Sequence, residues 1–143
     1  MPAAAVVEAW TGLVRTEQAL QAEIEEHLKR AGFPPLAWYD VLLELDSAPD
    51  GWLRQSRVQA QTLLAQYNLC RLVDRLERDG LVERRQCTRD GRNNVLVITA
   101  EGRSLRRAMW PVYAAAIEEH VGGRLTRAEA QQLAKLLGKL TPA

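Results

Sequence analysis

Cysteines, histidines and long apolar runs are scarce in this sequence, and each scarcity excludes a class of protein. Only two cysteines, Cys70 and Cys87, occur among 143 residues, and their separation of 17 positions matches no metal-binding motif. No apolar run approaches the roughly 20 residues that a membrane span needs. The opening residues, MPAAAVVEAW, lack the basic start and the apolar stretch of a secretion signal. We therefore expect a cytoplasmic protein with reduced cysteines and no membrane contact.

Motifs for enzymatic chemistry are also missing. The sequence contains no glycine-rich phosphate loop, no nucleophile elbow and no pair of catalytic carboxylates. His27 and His120 are the only histidines. Glu23 lies four residues before His27, so one helix face offers two ligands, but the sequence identifies no third. We therefore expect no catalytic residues, no metal and no cofactor, which makes a small enzyme the least favoured function.

The apolar content is sufficient for one folded domain. Hydrophobic residues make up 47% of the chain, and the aromatic residues include only one Phe and three Tyr besides four Trp. Leu, Val and Ala supply most of the rest, which favours packed helices over a sheet sandwich. Two candidate interface stripes lie near the ends of the chain. They consist of Trp10, Leu13, Leu20 and Ile24, and of Leu133, Leu136, Leu137 and Leu140. A monomer of this size has little against which to bury them, so we expect an obligate dimer.

Charge is distributed unevenly along the chain although the net charge is only +1. Residues 1–53 contain three basic and nine acidic side chains, a net charge of −6. Residues 54–92 contain nine Arg, no Lys and five acidic residues, a net charge of +4. An arginine-rich middle segment indicates a polyanionic partner, and ordinary surface charge is the alternative.

Hydrophobic periodicity and turn signals predict helices, one β-hairpin and a mainly α fold with a small β component. Asp90-Gly91 marks the hairpin turn, Gly80 a helix C-cap, Thr99 an N-cap, and Thr126 with Glu129 a capping box. The predicted helices span about 4–30, 35–46, 54–61, 65–79, 100–121 and 127–140, and the predicted strands span 81–86 and 94–98.

A helix pair followed by a hairpin is a winged helix-turn-helix, an arrangement suited to DNA. The second helix of the pair is narrow enough for a major groove about 12 Å wide, and its first turns meet base edges. The candidates for base contacts are Gln66, Tyr67, Asn68 and Arg71. Arg89 and Arg92 at the hairpin tip suit a narrow, electronegative minor groove. Arg54 and Arg57 either contact phosphates or belong to a solvated face.

The segment 53–102 resembles the core of the MarR family of bacterial transcription regulators. The matching pieces are RLVDRLERDGLVERR at 71–85, Asp90-Gly91-Arg92, and a strand that leads into Thr-Ala-Glu-Gly at 99–102. The flanking helices fit the family's arrangement. The resemblance therefore covers nearly the whole chain as one domain, with dimerisation helices at 1–34 and 100–143 and a DNA-binding lobe at 35–99.

This resemblance implies a homodimer that binds a pseudo-palindromic operator on double-stranded DNA and acts as a repressor. It implies that Arg92 is the wing arginine and that Asp90 braces the wing by pairing with an arginine. In the family, a pocket between the dimerisation helices and the DNA lobe often binds small anionic aromatic effectors and weakens DNA binding. Trp38, Tyr39, Trp110 and Tyr113 either line such a pocket or are plain core. The alternative function is a winged-helix protein-interaction module that does not bind DNA.

Overall fold

The computed structural model describes residues 1–62, 66–85 and 94–142, with only the backbone of Gln66 and Tyr67. The chain divides into two compact units: one contains residues 1–31 and 112–143, and the other contains residues 32–111. Among the described residues, we find no helix with the length and apolar character needed to cross a bilayer.

Six α-helices, one π-helical turn and three short strands make up the described chain. In chain order they are α1 (Ala4–Arg30), α2 (Leu36–Ser47), β1 (Trp52–Arg54), α3 (Gln55–Thr62), α4 (Gln66–Arg78), β2 (Val82–Arg85), β3 (Val95–Ile98), α5 (Ala100–Ile117), the π-turn (Glu118–Gly122) and α6 (Arg127–Leu140). The prediction of a mainly helical winged helix-turn-helix fold is confirmed.

Helix α4 anchors the core of the unit formed by residues 32–111. Leu69, Leu72, Val73 and Leu76 of this helix are all buried. They recur at intervals of three and four residues, which places them on one face of a helix. This face packs with α2, α3 and the sheet through Val41, Leu42, Leu45, Val58, Val82, Leu96 and Ile98.

The sheet contains one strand that the sequence pattern does not reveal. β2 and β3 form the predicted antiparallel hairpin, in which Arg85 pairs with Val95. β1 pairs antiparallel with the other edge of β3, giving the strand order β1-β3-β2. The sequence predicts a helix over about 54–61 and no strand before it. Three residues are too few for an alternating pattern to emerge, so only the pairing with β3 identifies β1.

Close backbone contacts join the end of α4 to the start of α5. Gly80 has a φ of +76°, and it ends α4 as predicted. The predicted N-cap of α5 is also present, because the Thr99 hydroxyl accepts a hydrogen bond from the Gly102 amide at 3.0 Å. A Cβ atom on Gly102 would collide with the Leu81 carbonyl oxygen. This position therefore requires glycine for its packing.

The unit formed by residues 1–31 and 112–143 contains α1, the end of α5, the π-turn and α6. The Thr126–Glu129 capping box at the start of α6 is confirmed by both of its hydrogen bonds. These bonds to Thr126, opposed by a small effect of burial, lower the pKa of the Glu129 carboxyl below its ordinary value. Helix α5 continues through Pro111, but its last turn is the π-turn where the sequence predicted α-helix to Val121.

Candidate nucleic-acid interface

Helix α4 presents a basic face to solvent on the side away from its buried residues. Asn68, Arg71, Arg75 and Arg78 are all exposed. At 100° per residue they fall within one sector of roughly 80° on the helix surface. Arg75 and Arg78 form no ion pair with any described residue. This face is narrow, convex and positively charged.

Two of the predicted base-contacting residues, Asn68 and Arg71, lie on this face. Gln66 and Tyr67 occupy the first positions of α4, and Asn68 follows them with an exposed side chain. Arg71 lies one turn further on, also exposed. The backbone of α4 therefore holds the four positions in the first turns of a helix whose opposite face is fixed in the core.

Arg54 and Arg57 lie on the surface beside α3. Arg54 ends β1, Arg57 lies in the first turn of α3, and both are exposed. They line an open recess of about 620 Å³, with Trp52 as its largest apolar side chain. The recess brings the two guanidinium groups to one surface of the unit, which is compatible with contact to a phosphate backbone.

The described part of the hairpin consists of β2, β3 and Asn94. Gln55, at the start of α3, donates its backbone amide to the carbonyl oxygen of Asn94 at 2.8 Å. This bond ties the base of the hairpin to the helix pair. The predicted wing residues Arg89, Asp90 and Arg92 lie outside the described residues, and their roles stay predictions.

A polar link joins α4 to the strand that begins the hairpin. Arg84 in β2 pairs with Asp74 in α4 at 2.9 Å. The Arg84 backbone amide donates to a Glu77 carboxylate oxygen at 3.1 Å. Two acidic residues of α4 thus bind β2, and they do not lie on the helix's basic face. Sequence reasoning did not identify this link, because Asp74 and Arg84 belong to different elements.

A second polar cluster lies between α2 and the first half of α5. The carboxylate of Asp46 accepts hydrogen bonds from Arg103 at 2.6 Å and from Arg106 at 2.5 Å. Burial of Asp46 opposes its ionisation, but the hydrogen bonds and positive charges of the two arginines outweigh burial and lower the pKa of Asp46. Burial likewise opposes the charge on Arg106, yet bonds to Asp46 and Tyr39 raise its pKa.

The candidate effector residues occupy different environments. Tyr39 is buried, and its ring stacks on the partly exposed Trp110 with centroids 6.3 Å apart and planes 19° apart. Trp38 lines a shallow groove of about 590 Å³ with Phe33 and Leu105. Tyr113 belongs to the other compact unit. Within residues 32–111, two of the candidates therefore touch each other and the third borders a separate groove.

The residues that offer ligands for a metal belong to the other compact unit. His27, Glu119 and His120 come together in the unit formed by residues 1–31 and 112–143. The sequence had identified only Glu23 and His27 as neighbours on one helix. The further ligands come from the π-turn, 92 and 93 positions after His27, and helical spacing carries no information about such a pairing.

Comparison with known protein families gives one match. A model of the MarR family matches residues 31–93, which include α2, β1, the helix pair and the beginning of the hairpin. No curated protein sequence is similar enough to be counted as a relative.

Several solved structures share the fold over almost the entire chain. The first is Sco3205, a MarR family transcriptional regulator from Streptomyces coelicolor solved in complex with DNA. It is 24% identical, with a TM-score of 0.84 over 98% of this chain and 88% of that one. Sco5413 from the same organism, also a MarR family transcriptional regulator, is 25% identical, with a TM-score of 0.81 over 96% and 94%. BpsR of Bordetella bronchiseptica, whose DNA binding is regulated by 6-hydroxynicotinic acid, is 22% identical, with a TM-score of 0.83 over 94% and 99%.

Proposed function

We propose that this chain is a winged helix-turn-helix regulator of the MarR family, a sequence-specific DNA-binding transcription regulator that acts as a homodimer. The observation that carries the proposal is the exposed basic face of α4, formed by Asn68, Arg71, Arg75 and Arg78. Sco3205, with the same fold, was solved bound to DNA, which supports this assignment.

The face of α4 combines the two kinds of contact that a DNA-reading helix needs. Arg75 and Arg78 supply charge to neutralise phosphates, and each phosphate contact releases a condensed counterion. Gln66, Asn68 and Arg71 have the donors and acceptors for base edges, with Gln and Asn suited to adenine and Arg to guanine. The buried side of α4 fixes the helix in the core. Asn68 and Arg71 can therefore contact DNA from the exposed side while the core packing stays intact.

The test is a titration of duplex DNA at several salt concentrations. The double variant Arg75→Ala, Arg78→Ala removes up to four cation contacts per dimer, so the log–log salt slope should flatten by up to about 3.6 at roughly 0.9 per contact. Arg30→Ala is the matched control, because Arg30 is an exposed helical arginine paired with Glu26 on α1. An unchanged slope in the double variant would refute the assignment of α4.

The winged-helix interaction module remains the competing function, and the same titration separates the two. A regulator should bind random DNA weakly and a selected operator tightly, both in a salt-dependent way. A protein-interaction module should show neither. The exposed cations of α4 favour the regulator, because basic side chains clustered on one helix face are the electrostatic footprint of a nucleic-acid-binding surface.

Dimer formation is supported by the exposed apolar side chains of the terminal helices α1 and α6. Every residue of α6 is exposed in the single chain, including Leu133, Leu136, Leu137 and Leu140. On α1, Trp10 is 66% exposed. An isolated helix of 14 residues is marginal in water, so α6 needs a surface that covers its apolar stripe. A second copy of the chain supplies an equivalent stripe, and a two-fold dimer would bury both.

We further propose that the protein acts as a repressor in the cytoplasm and that a small aromatic or anionic effector weakens its binding to DNA. The regulation of BpsR by 6-hydroxynicotinic acid supports it. Trp38, Tyr39, Trp110 and Tyr113 are the residues to test. Aromatic carboxylates should quench tryptophan fluorescence in a saturable way and weaken DNA binding. Without saturable quenching across such a panel, these aromatic residues are core. We propose no catalytic activity for this chain, because the solved structures that share its fold are those of transcription regulators.

A further inference from the structure

Two histidines and two carboxylates meet where α1 ends beside the π-turn. Nε2 of His27 lies 3.1 Å from Nε2 of His120 and 3.2 Å from Oε2 of Glu119. Nε2 of His120 lies 4.0 Å from the same oxygen of Glu119 and 3.8 Å from a carboxylate oxygen of Glu23. All four side chains belong to one compact unit.

These separations match the edges of a small coordination polyhedron. Zinc bonds of about 2.0–2.2 Å to nitrogen and oxygen place tetrahedral ligand atoms roughly 3.3–3.6 Å apart. The separations among His27, Glu119 and His120 run from 3.1 to 4.0 Å, so they bracket that range. Glu23 lies 3.8 Å from His120 but outside the group whose ligand atoms all lie within 4.8 Å of one another, so its side chain must move inward to become a fourth ligand.

The surroundings of the cluster combine an enclosed side and an open side. The His120 side chain is 10% exposed, whereas that of Glu119 is 63% exposed. Burial holds the imidazole of His120 in place, and the exposed carboxylate of Glu119 leaves a path for an ion to enter from solvent. The widened π-turn places the consecutive residues Glu119 and His120 both near His27. Single π-turns of this kind occur frequently at functional sites.

We propose that His27, His120 and Glu119, with Glu23 as a fourth ligand, form a zinc-binding site. The donor set selects the ion class. Imidazole nitrogens suit zinc and other first-row transition metals, whereas magnesium and calcium prefer oxygen ligands alone. Two histidines with one or two carboxylates and no thiolate match the ligands that zinc accepts in tetrahedral sites. A bound ion would link the end of α1 to the π-turn through three or four bonds.

The competing explanation is a hydrogen bond between the two imidazoles with no metal. One neutral ring donates from Nε2 and the other accepts, which satisfies both atoms without an ion. The two explanations differ in what the site does when zinc is supplied, so metal titration distinguishes them.

The experiment uses the full-length, chelator-treated protein with Cys70→Ser and Cys87→Ser, which removes thiolates as competing ligands. Calorimetric titration with Zn²⁺ should give one ion per chain. Co²⁺ should produce the visible absorption bands of a four-coordinate ion, and Zn²⁺ should abolish them. His27→Gln and His120→Gln should each weaken Zn²⁺ binding by at least about 100-fold, since even outer-shell partners cost roughly 10–100-fold.

Glu26→Gln is the matched control, because Glu26 lies next to His27 in sequence but pairs with Arg30 outside the cluster. This variant should bind Zn²⁺ like the parent protein. Zn²⁺ should raise the thermal midpoint of the parent and of Glu26→Gln, and leave the histidine variants unchanged. Circular dichroism establishes that each variant retains its helices.

Either of two results would overturn the proposal: no Zn²⁺ bound by the parent, or Zn²⁺ binding that survives both histidine substitutions. If the parent binds no Zn²⁺ and the histidine variants lose stability equally with and without chelator, the hydrogen bond between the imidazoles is purely structural. None of these measurements involves DNA, so failure of the metal site leaves the proposed regulatory function intact, and the reverse also holds.

Discussion

At the scale of single residues, Asn68 tests whether α4 reads bases. Its exposed amide has the geometry for a two-bond contact with adenine and carries no charge. Asn68→Ala should therefore cost about 1–3 kcal/mol per half-site at one base position. The salt slope should stay unchanged, because no phosphate contact is lost. Titration of operator duplexes with single-base changes measures this effect. Equal loss of affinity for operator and scrambled DNA would show that Asn68 does not read sequence.

Arg92 is the contrasting residue, predicted from the sequence to act through charge at the wing. Arg92→Ala removes two cation contacts per dimer and should flatten the log–log salt slope by about 1.8. Operator and random DNA should both bind more weakly, with extra loss where the minor groove is narrow. The same salt titrations check it. If affinity and slope both stay at the parent value, the wing assignment is wrong.

Asp46 is expected to contribute stability that depends on pH. Its carboxylate, 12% exposed, holds Arg103 and Arg106. Hydrogen bonds to charged groups contribute about 1.5–3 kcal/mol, so Asp46→Asn should lower the free energy of unfolding by that order. Because the pKa of Asp46 is lower in the folded than in the unfolded chain, this contribution is complete above the ordinary aspartate value and disappears as the pH falls through the folded value.

Urea unfolding of parent and Asp46→Asn at a series of pH values provides the measurement. The difference between them should be largest near neutral pH and shrink in acid. Asp50→Asn serves as the control, because Asp50 is an exposed carboxylate four positions after Asp46 in the sequence. A difference that does not change with pH would contradict the ionic origin of the effect.

At the scale of elements, the ion pair between Arg84 and Asp74 connects α4 to the hairpin. Arg84 and Asp74 are both partly exposed, so their coupling in a double-mutant cycle should be only about 0.5–1 kcal/mol. We expect Arg84→Gln and Asp74→Asn to be non-additive by this amount in urea unfolding. Strict additivity would mean that the ion pair does not form in solution.

At the scale of the whole molecule, the apolar stripe of α6 should control assembly. Leu136 is 49% exposed in the single chain, and a charge there would be buried in a dimer. Leu136→Glu should therefore give monomers or aggregates with lowered thermal stability. Gln131→Glu, on the opposite face of α6, should remain a dimer. Light scattering gives the molar mass in each case. A soluble, folded monomer of the parent chain would contradict the proposed assembly.

Local signals in the sequence determined most of the fold and the basic helix face. The spacing of Leu69, Leu72, Val73 and Leu76 identified the buried side of α4, and therefore its exposed side, because helical periodicity depends only on neighbouring residues. Thr99, Gly80 and the Thr126 capping box marked helix ends for the same reason: their hydrogen bonds span a few residues.

Tertiary structure alone decided which distant residues meet. β1 exists only because β3 pairs with it. Arg106 pairs with Asp46, which lies 60 positions earlier, and His120 contacts His27, which lies 93 positions earlier. Hydrophobic periodicity shows which side of its own helix a residue occupies. It does not show which other element that side will contact, because the packing of elements depends on the summed contacts of the whole core. The basic face of α4 was therefore visible in the sequence, whereas the histidine cluster became visible only in three dimensions.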